Sequence, residues 1–78
     1  MVYVVADSHK KFVGWCREVG LNPFPGAHQA RYVQQMEQLL GTKGIRLVFL
    51  DASWSALQER EAMHYVRCMG GTVEYAYA

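Results

Sequence analysis

Two short segments, Val2-Tyr3-Val4-Val5-Ala6-Asp7-Ser8 and Leu47-Val48-Phe49-Leu50-Asp51-Ala52-Ser53, repeat one pattern. Each is an apolar run of β-branched, aromatic or leucine residues that stops at an aspartate, reaches a serine and gives way to a helical pattern. A strand buried on both faces of a parallel sheet has this continuous apolar character, and the polar stop marks its carboxyl end. Two such segments in one chain restrict the fold to the α/β class. They also place two carboxylates on the sheet edge where open α/β folds keep ligand sites.

The chain has 78 residues, enough for one domain near the lower size limit for a self-sufficient core. Its apolar and aromatic residues make up 51%, which is rich enough to fold without staples. The formal net charge of +1 argues against an obligate nucleic-acid binder, which needs a clear basic excess to meet phosphates. No run of 18 apolar residues and no signal-peptide pattern is present, so no membrane contact and a cytoplasmic location are expected. Cys16 and Cys68 fall inside predicted helices with no CxxC spacing, and both are expected to be buried, reduced thiols.

The strand-to-helix rhythm runs along the whole chain. A first strand is expected at Val2–Ala6 and a first helix from Ser8 to Val19. There Phe12, Trp15, Cys16 and Val19 form an apolar stripe opposite Lys10, Lys11, Arg17 and Glu18. Gly20 is placed to end that helix as a left-handed cap, with Leu21 supplying the accompanying apolar contact. Asn22-Pro23-Phe24-Pro25-Gly26 must be irregular, and Phe24 is expected to fold back as a plug on the core. A short second strand at Ala30–Val33 leads to a short helix over 35–40, with one longer helix over 27–40 as the alternative. The third strand is Ile45–Leu50.

The third helix starts near Ser55, where Ser55-Ala56-Leu57-Gln58 fits a capping box. Its wheel places Leu57, Ala62, Tyr65, Val66, Cys68 and Met69 within one half. Gly70-Gly71 stop it, and Thr72–Tyr77 reads as a fourth strand, with Val73, Tyr75 and Tyr77 alternating against Glu74, Ala76 and Ala78. Right-handed crossovers then give a single three-layer, Rossmann-like βαβαβαβ domain whose mainly parallel sheet has the order 2-1-3-4. Its fourth strand is the edge at which homo-oligomerisation is expected, if it occurs.

Asp7, Ser8, His9, Asp51 and Ser53 gather at the switch point between the two central strands. They have two readings: a crevice that binds a ligand or phosphate, or the ordinary capping of two helix starts. Asp51 is the better ligand candidate, because Ser55 already supplies a cap. His9 is placed to act as a base toward either aspartate, or else is a solvated residue at a helix start. An apolar run ending in Asp is also found in P-loop NTPases. Here GxxxxGK[ST] is absent, and Gly41-Thr42-Lys43-Gly44 follows a helix rather than a strand; GxGxxG is absent as well. No cofactor, metal site or catalytic residue is assigned, and neither cysteine is read with a histidine partner.

On the third helix Arg60, His64 and Arg67 align as a basic ridge, to be weighed against a plain solvated face diluted by Glu59 and Glu61. Trp54 either caps the core or stands out as an aromatic anchor.

Taken in order, Tyr3-Val4-Val5-Ala6, Phe12-Val13-Gly14-Trp15-Cys16-Arg17-Glu18, Ala30-Arg31-Tyr32-Val33, Glu37-Gln38-Leu39-Leu40-Gly41 and the run from Ile45 to Asp51 with Trp54 resemble a group of small α/β proteins encoded by bacteriophages of actinobacteria. Where those proteins often have Pro-Gly after the third strand, this chain has Asp51-Ala52-Ser53. The resemblance implies a phage origin and an accessory or host-directed role, and it transfers no site residues. The expected function is therefore a non-enzymatic binding module acting on a host or phage macromolecule. Its surface would draw on Trp54, Arg60, His64, Arg67, Tyr75 and Tyr77. The alternative is a small ligand- or phosphate-binding domain at the strand exits.

Overall fold

In the computed structural model, which describes residues 1–77, four parallel strands form one sheet. They are β1 (Val2–Val5), β2 (Ala30–Val33), β3 (Arg46–Phe49) and β4 (Thr72–Tyr75), in the order β2-β1-β3-β4. The two helices are α1 (His9–Val19) and α2 (Ala56–Cys68). Val2 pairs with Ala30 on one side and Arg46 on the other, and Arg46 pairs with Thr72. The α/β class, the three layers and the strand order agree with the sequence reading.

The layering follows from the direction of the crossovers. From β1 the chain moves outward to β2 through α1, and from β3 it moves the opposite way to β4 through α2. Right-handed connections running in opposite directions put their helices on opposite faces. Val2, Val4, Ala30 and Val48 accordingly pack with Phe12 and Cys16 of α1. Tyr3, Val5, Val33, Leu47 and Phe49 pack with Ala62 and Val66 of α2 on the other face. All four residues of β1 are buried, as an apolar run between two helical layers requires.

The caps are local and come from side chains next to each helix start. Ser8 Oγ accepts the Lys11 N–H at 3.3 Å, and Gly20 closes α1 with a φ of 79°. Leu21 follows it into the α1-side core. Ser55 and Gln58 form the expected capping box on α2. Gly71 is needed for space: a Cβ there would strike the Ile45 carbonyl and Val66, so β4 can leave α2 only past a residue without a side chain.

Several expectations are corrected. The middle helix is a single 3₁₀ turn, Met36–Leu39, and the long-helix alternative fails because Ala30–Val33 pairs with β1. The turn is held by Gln38, whose Oε1 accepts the Gln34 and Gln35 N–H groups, and only Leu39 of its residues is fully buried. Four residues closed by a side-chain clamp complete the crossover, so no α-helical turn is added. Phe24 is 67% exposed and is not a plug, because Asn22 Oδ1 accepts its N–H in a tight local turn. On α2 the apolar half-wheel is narrower than expected: Leu57 is 61% exposed and Cys68 is exposed. Both are turned about 120–180° around the helix from the buried Ala62 and Val66. β4 ends at Tyr75, although the Ala76 N–H still donates to the Phe49 carbonyl. Ala78, expected on the wetter face of this strand, lies outside the described residues. Among the described residues no helix is long and apolar enough to cross a membrane.

Candidate functional site

Adjacent strands β1 and β3 end side by side, so Asp7 and Asp51 leave the sheet together. The Asp7 backbone N–H donates to Asp51 Oδ2 at 2.8 Å, and the Ser53 N–H donates to Asp51 Oδ1 at 3.1 Å. Lys11 Nζ then bridges the pair, 3.2 Å from Asp7 Oδ2 and 3.1 Å from Asp51 Oδ2. Burial pushes the Asp51 carboxyl up, but the donors from Ser53, Asp7 and Lys11 outweigh it and bring its pKa down to about 2. The Lys11 ammonium is correspondingly pushed up by Asp51 and Asp7.

This arrangement is a staple between two strand ends. Asp51 is fully ionised at neutral pH and its oxygens face donors of the protein itself, which leaves it poorly suited to proton transfer. Lys11 already faces two carboxylates and presents no uncompensated positive charge to an anion. Beside the staple, Ala6, Asp7, Tyr32, Gln34, Ser53 and Trp54 line an open depression of about 300 Å³. Among the described residues no group of three or more His, Cys, Asp or Glu could hold a metal ion.

The remaining strand-exit candidates separate. Ser8 is occupied as the α1 cap. His9 sets its ring 5.6 Å from both Phe12 and Tyr32, so it joins an aromatic cluster over β2 and does not form the expected pair with a carboxylate. Trp54 is 9% exposed and packs edge-on against Phe49 at 6.0 Å. The core-cap reading of Trp54 therefore stands and the exposed-anchor reading falls.

The other candidates converge on the opposite side of α2. Arg60, His64 and Arg67 line an open concavity of about 420 Å³ together with Met63 and Cys68. Tyr75 adjoins it: its hydroxyl donates to Met63 Sδ at 3.0 Å, and its ring stacks on Phe49 at 5.2 Å. Tyr77 lies edge-on to Tyr75 at 5.7 Å, and the two tyrosines are 39% and 46% exposed respectively. Burial and the carboxylate of Glu59 push the Tyr75 hydroxyl above its ordinary value, so it stays a neutral donor. The basic ridge and the tyrosine edge thus form one continuous surface.

Sequence reasoning missed two members of these clusters, and both had a signal. Lys11 stands four residues after Asp7, the spacing at which helical side chains meet, but it was grouped with the solvated face of α1. Cys68 stands four residues after His64, and its Sγ lies 3.6 Å from His64 Nε2. The reading of Cys68 as a buried thiol without a histidine partner is therefore corrected on both counts. Cys16 is buried as expected, and burial pushes its thiol up. A scan against protein-family models, a search of curated proteins and a search of solved structures each return no match.

Proposed function

We propose that the protein is a non-enzymatic binding module that engages a macromolecular partner through the face where α2 meets the β4 edge. The observation that carries this reading is the gathering of Tyr75, Tyr77, Met63, Arg60 and Arg67 on one exposed surface beside the outer edge of β4, which no other described strand pairs. Tyrosine, methionine and arginine are the side chains enriched at the centres of protein interfaces, because each offers large contact area together with a polar or polarisable group. An open strand edge adds a row of backbone donors and acceptors that a partner strand can meet.

The strand exits support a ligand site less well, since their charges are compensated within the chain. The resemblance to actinobacteriophage proteins supplies the setting of the proposal: an accessory role in the host cytoplasm, with a host or phage protein as partner.

The test is affinity capture from actinobacterial lysate with the wild type and an Arg60→Glu/Arg67→Glu/Tyr77→Ser variant, compared by quantitative mass spectrometry. All three side chains are exposed, so the variant is expected to keep the melting temperature of the wild type. It is expected to lose a partner that the wild type retains. Identical partner sets for the two proteins count against the surface.

A further inference from the structure

We propose that Cys68 is a thiol–disulfide exchange site, assisted by His64 and selective for small disulfides that carry carboxylates. The inference goes beyond the binding role and stands whether or not the α2–β4 face takes a macromolecular partner. Cys68 is exposed at the carboxyl-terminal end of α2, and one helical turn before it stands His64, with Nε2 at 3.6 Å and Nδ1 at 4.0 Å from the sulfur. Both distances are within reach of a hydrogen bond to sulfur, so the imidazole is placed to take the thiol proton. The thiolate is the form that attacks a disulfide.

The surroundings define the substrate. Arg60 and Arg67 line the same concavity, and none of its lining residues is a carboxylate. Neither guanidinium is held in an ion pair among the described residues, although Glu59 stands beside Tyr75 at the rim. The two positive charges attract an anionic disulfide and can hold its carboxylates through paired hydrogen bonds. The concavity is open, with a volume of about 420 Å³, and Cys68 is an exposed member of its lining, so a small disulfide can reach it.

In the step itself the Cys68 proton passes to the imidazole. The thiolate electron pair forms a bond to one sulfur of the incoming disulfide as its S–S bond breaks. The second sulfur departs with the bonding pair and takes the proton from the imidazolium, giving a free thiol. The Cys68 sulfur is oxidised, the departing sulfur is reduced, and the disulfide is the only oxidant needed.

The experiment uses the full chain with two probes, oxidised glutathione, which carries carboxylates, and neutral 2-hydroxyethyl disulfide. Intact-mass spectrometry follows the rate of mixed-disulfide formation. A single adduct is expected on Cys68 and none on buried Cys16, with Cys68→Ser abolishing the reaction. Arg60→Gln/Arg67→Gln is expected to slow the reaction with oxidised glutathione about 3- to 10-fold more than the reaction with the neutral probe, since the guanidinium groups stabilise the attacking thiolate for both probes but attract only the charged one. His64→Gln is expected to slow both probes. Circular dichroism confirms that each variant is folded. The proposal is overturned if His64→Gln reacts as fast as the wild type, if the arginine variant affects both probes equally or neither, or if the adduct forms on Cys16.

Discussion

Asp51 shows how one side chain can look like a functional group and act as a structural one. Its neighbours in sequence suggest a ligand site, because Ser55 leaves it free of capping duty. Its neighbours in space are the Asp7 N–H, the Ser53 N–H and the Lys11 ammonium, and these stabilise the charged carboxylate. The consequence for stability has a definite sign. The folded-state pKa lies at about 2, below the ordinary value of 3.8, so the stabilisation is fully present above about pH 4. It is lost as the pH falls through the folded value. Asp51→Asn, which removes the charge and keeps the size, is expected to cost about 1–2 kcal/mol at pH 7. That figure allows for solvent screening in a cluster whose lysine is 51% exposed. Urea denaturation at pH 7 and pH 2 checks it, because the gap between the two proteins should close at the lower pH. A gap of equal size at both would show that Asp51 acts through shape alone.

The elements owe their boundaries to short-range chemistry, and their exposed faces to what happens to lie opposite. Ser55 and Gln58 satisfy two backbone donors at the start of α2, which carries both the core residues Ala62 and Val66 and the candidate surface. Ser55→Ala is expected to destabilise the fold by about 1 kcal/mol, because only half of the capping box survives. For a domain of this size that lowers the melting temperature by about 4–8 °C, measurable by scanning calorimetry. An unchanged melting temperature would mean that packing of the α2 core face holds the helix start without the cap. The same helix explains the misplacement of Leu57 and Cys68. A wheel shows angular position, and it counts every apolar residue as inward. Leu57 and Cys68 lie at the edge of the apolar half, about 120–180° around the helix from the buried Ala62 and Val66, so they face solvent whatever their type.

At the scale of the whole molecule, a parallel sheet of only four strands leaves two open edges, and β4 is the one with exposed tyrosines, since Tyr32 on β2 is half-buried against Phe12. Its ladder to β3 uses the Thr72 N–H, which donates to the Ile45 carbonyl, and the Ala76 N–H, which donates to the Phe49 carbonyl, both at 2.9 Å. Because strand groups alternate in direction, the Val73 and Tyr75 N–H groups point away from β3. Val73→Pro therefore removes an outward donor and spares the β3 ladder. Any partner or second copy that adds a strand at this edge is expected to bind at least tenfold more weakly to Val73→Pro, while the monomer keeps its fold with a lowered melting temperature, because the Val73 side chain packs against the α2-side core. Equilibrium sedimentation or a binding titration with the captured partner checks this. Undiminished binding would move the contact from the strand edge to the side chains of α2. On the α1 side of the same edge Arg46 and Glu74 form an ion pair, which makes that side the more polar one and leaves the aromatic side chains facing α2.

The sequence by itself determined the class of fold, the four strands and their order, and the starts and stops of both helices. These follow from local signals: continuous apolar runs for buried parallel strands, Ser-x-x-Gln for a cap, and glycines where the chain must turn. The handedness of crossovers then leaves few topologies for so short a chain. What only the tertiary structure decided is which polar groups find partners. Lys11 joins Asp7 and Asp51, which are 44 positions apart; Trp54 turns onto Phe49; His9 turns to Tyr32; and Phe24 stays in solvent. The reason is geometric. Periodicity reports the direction of a side chain around its own element, whereas burial and charge compensation depend on what another element brings to the same few ångströms.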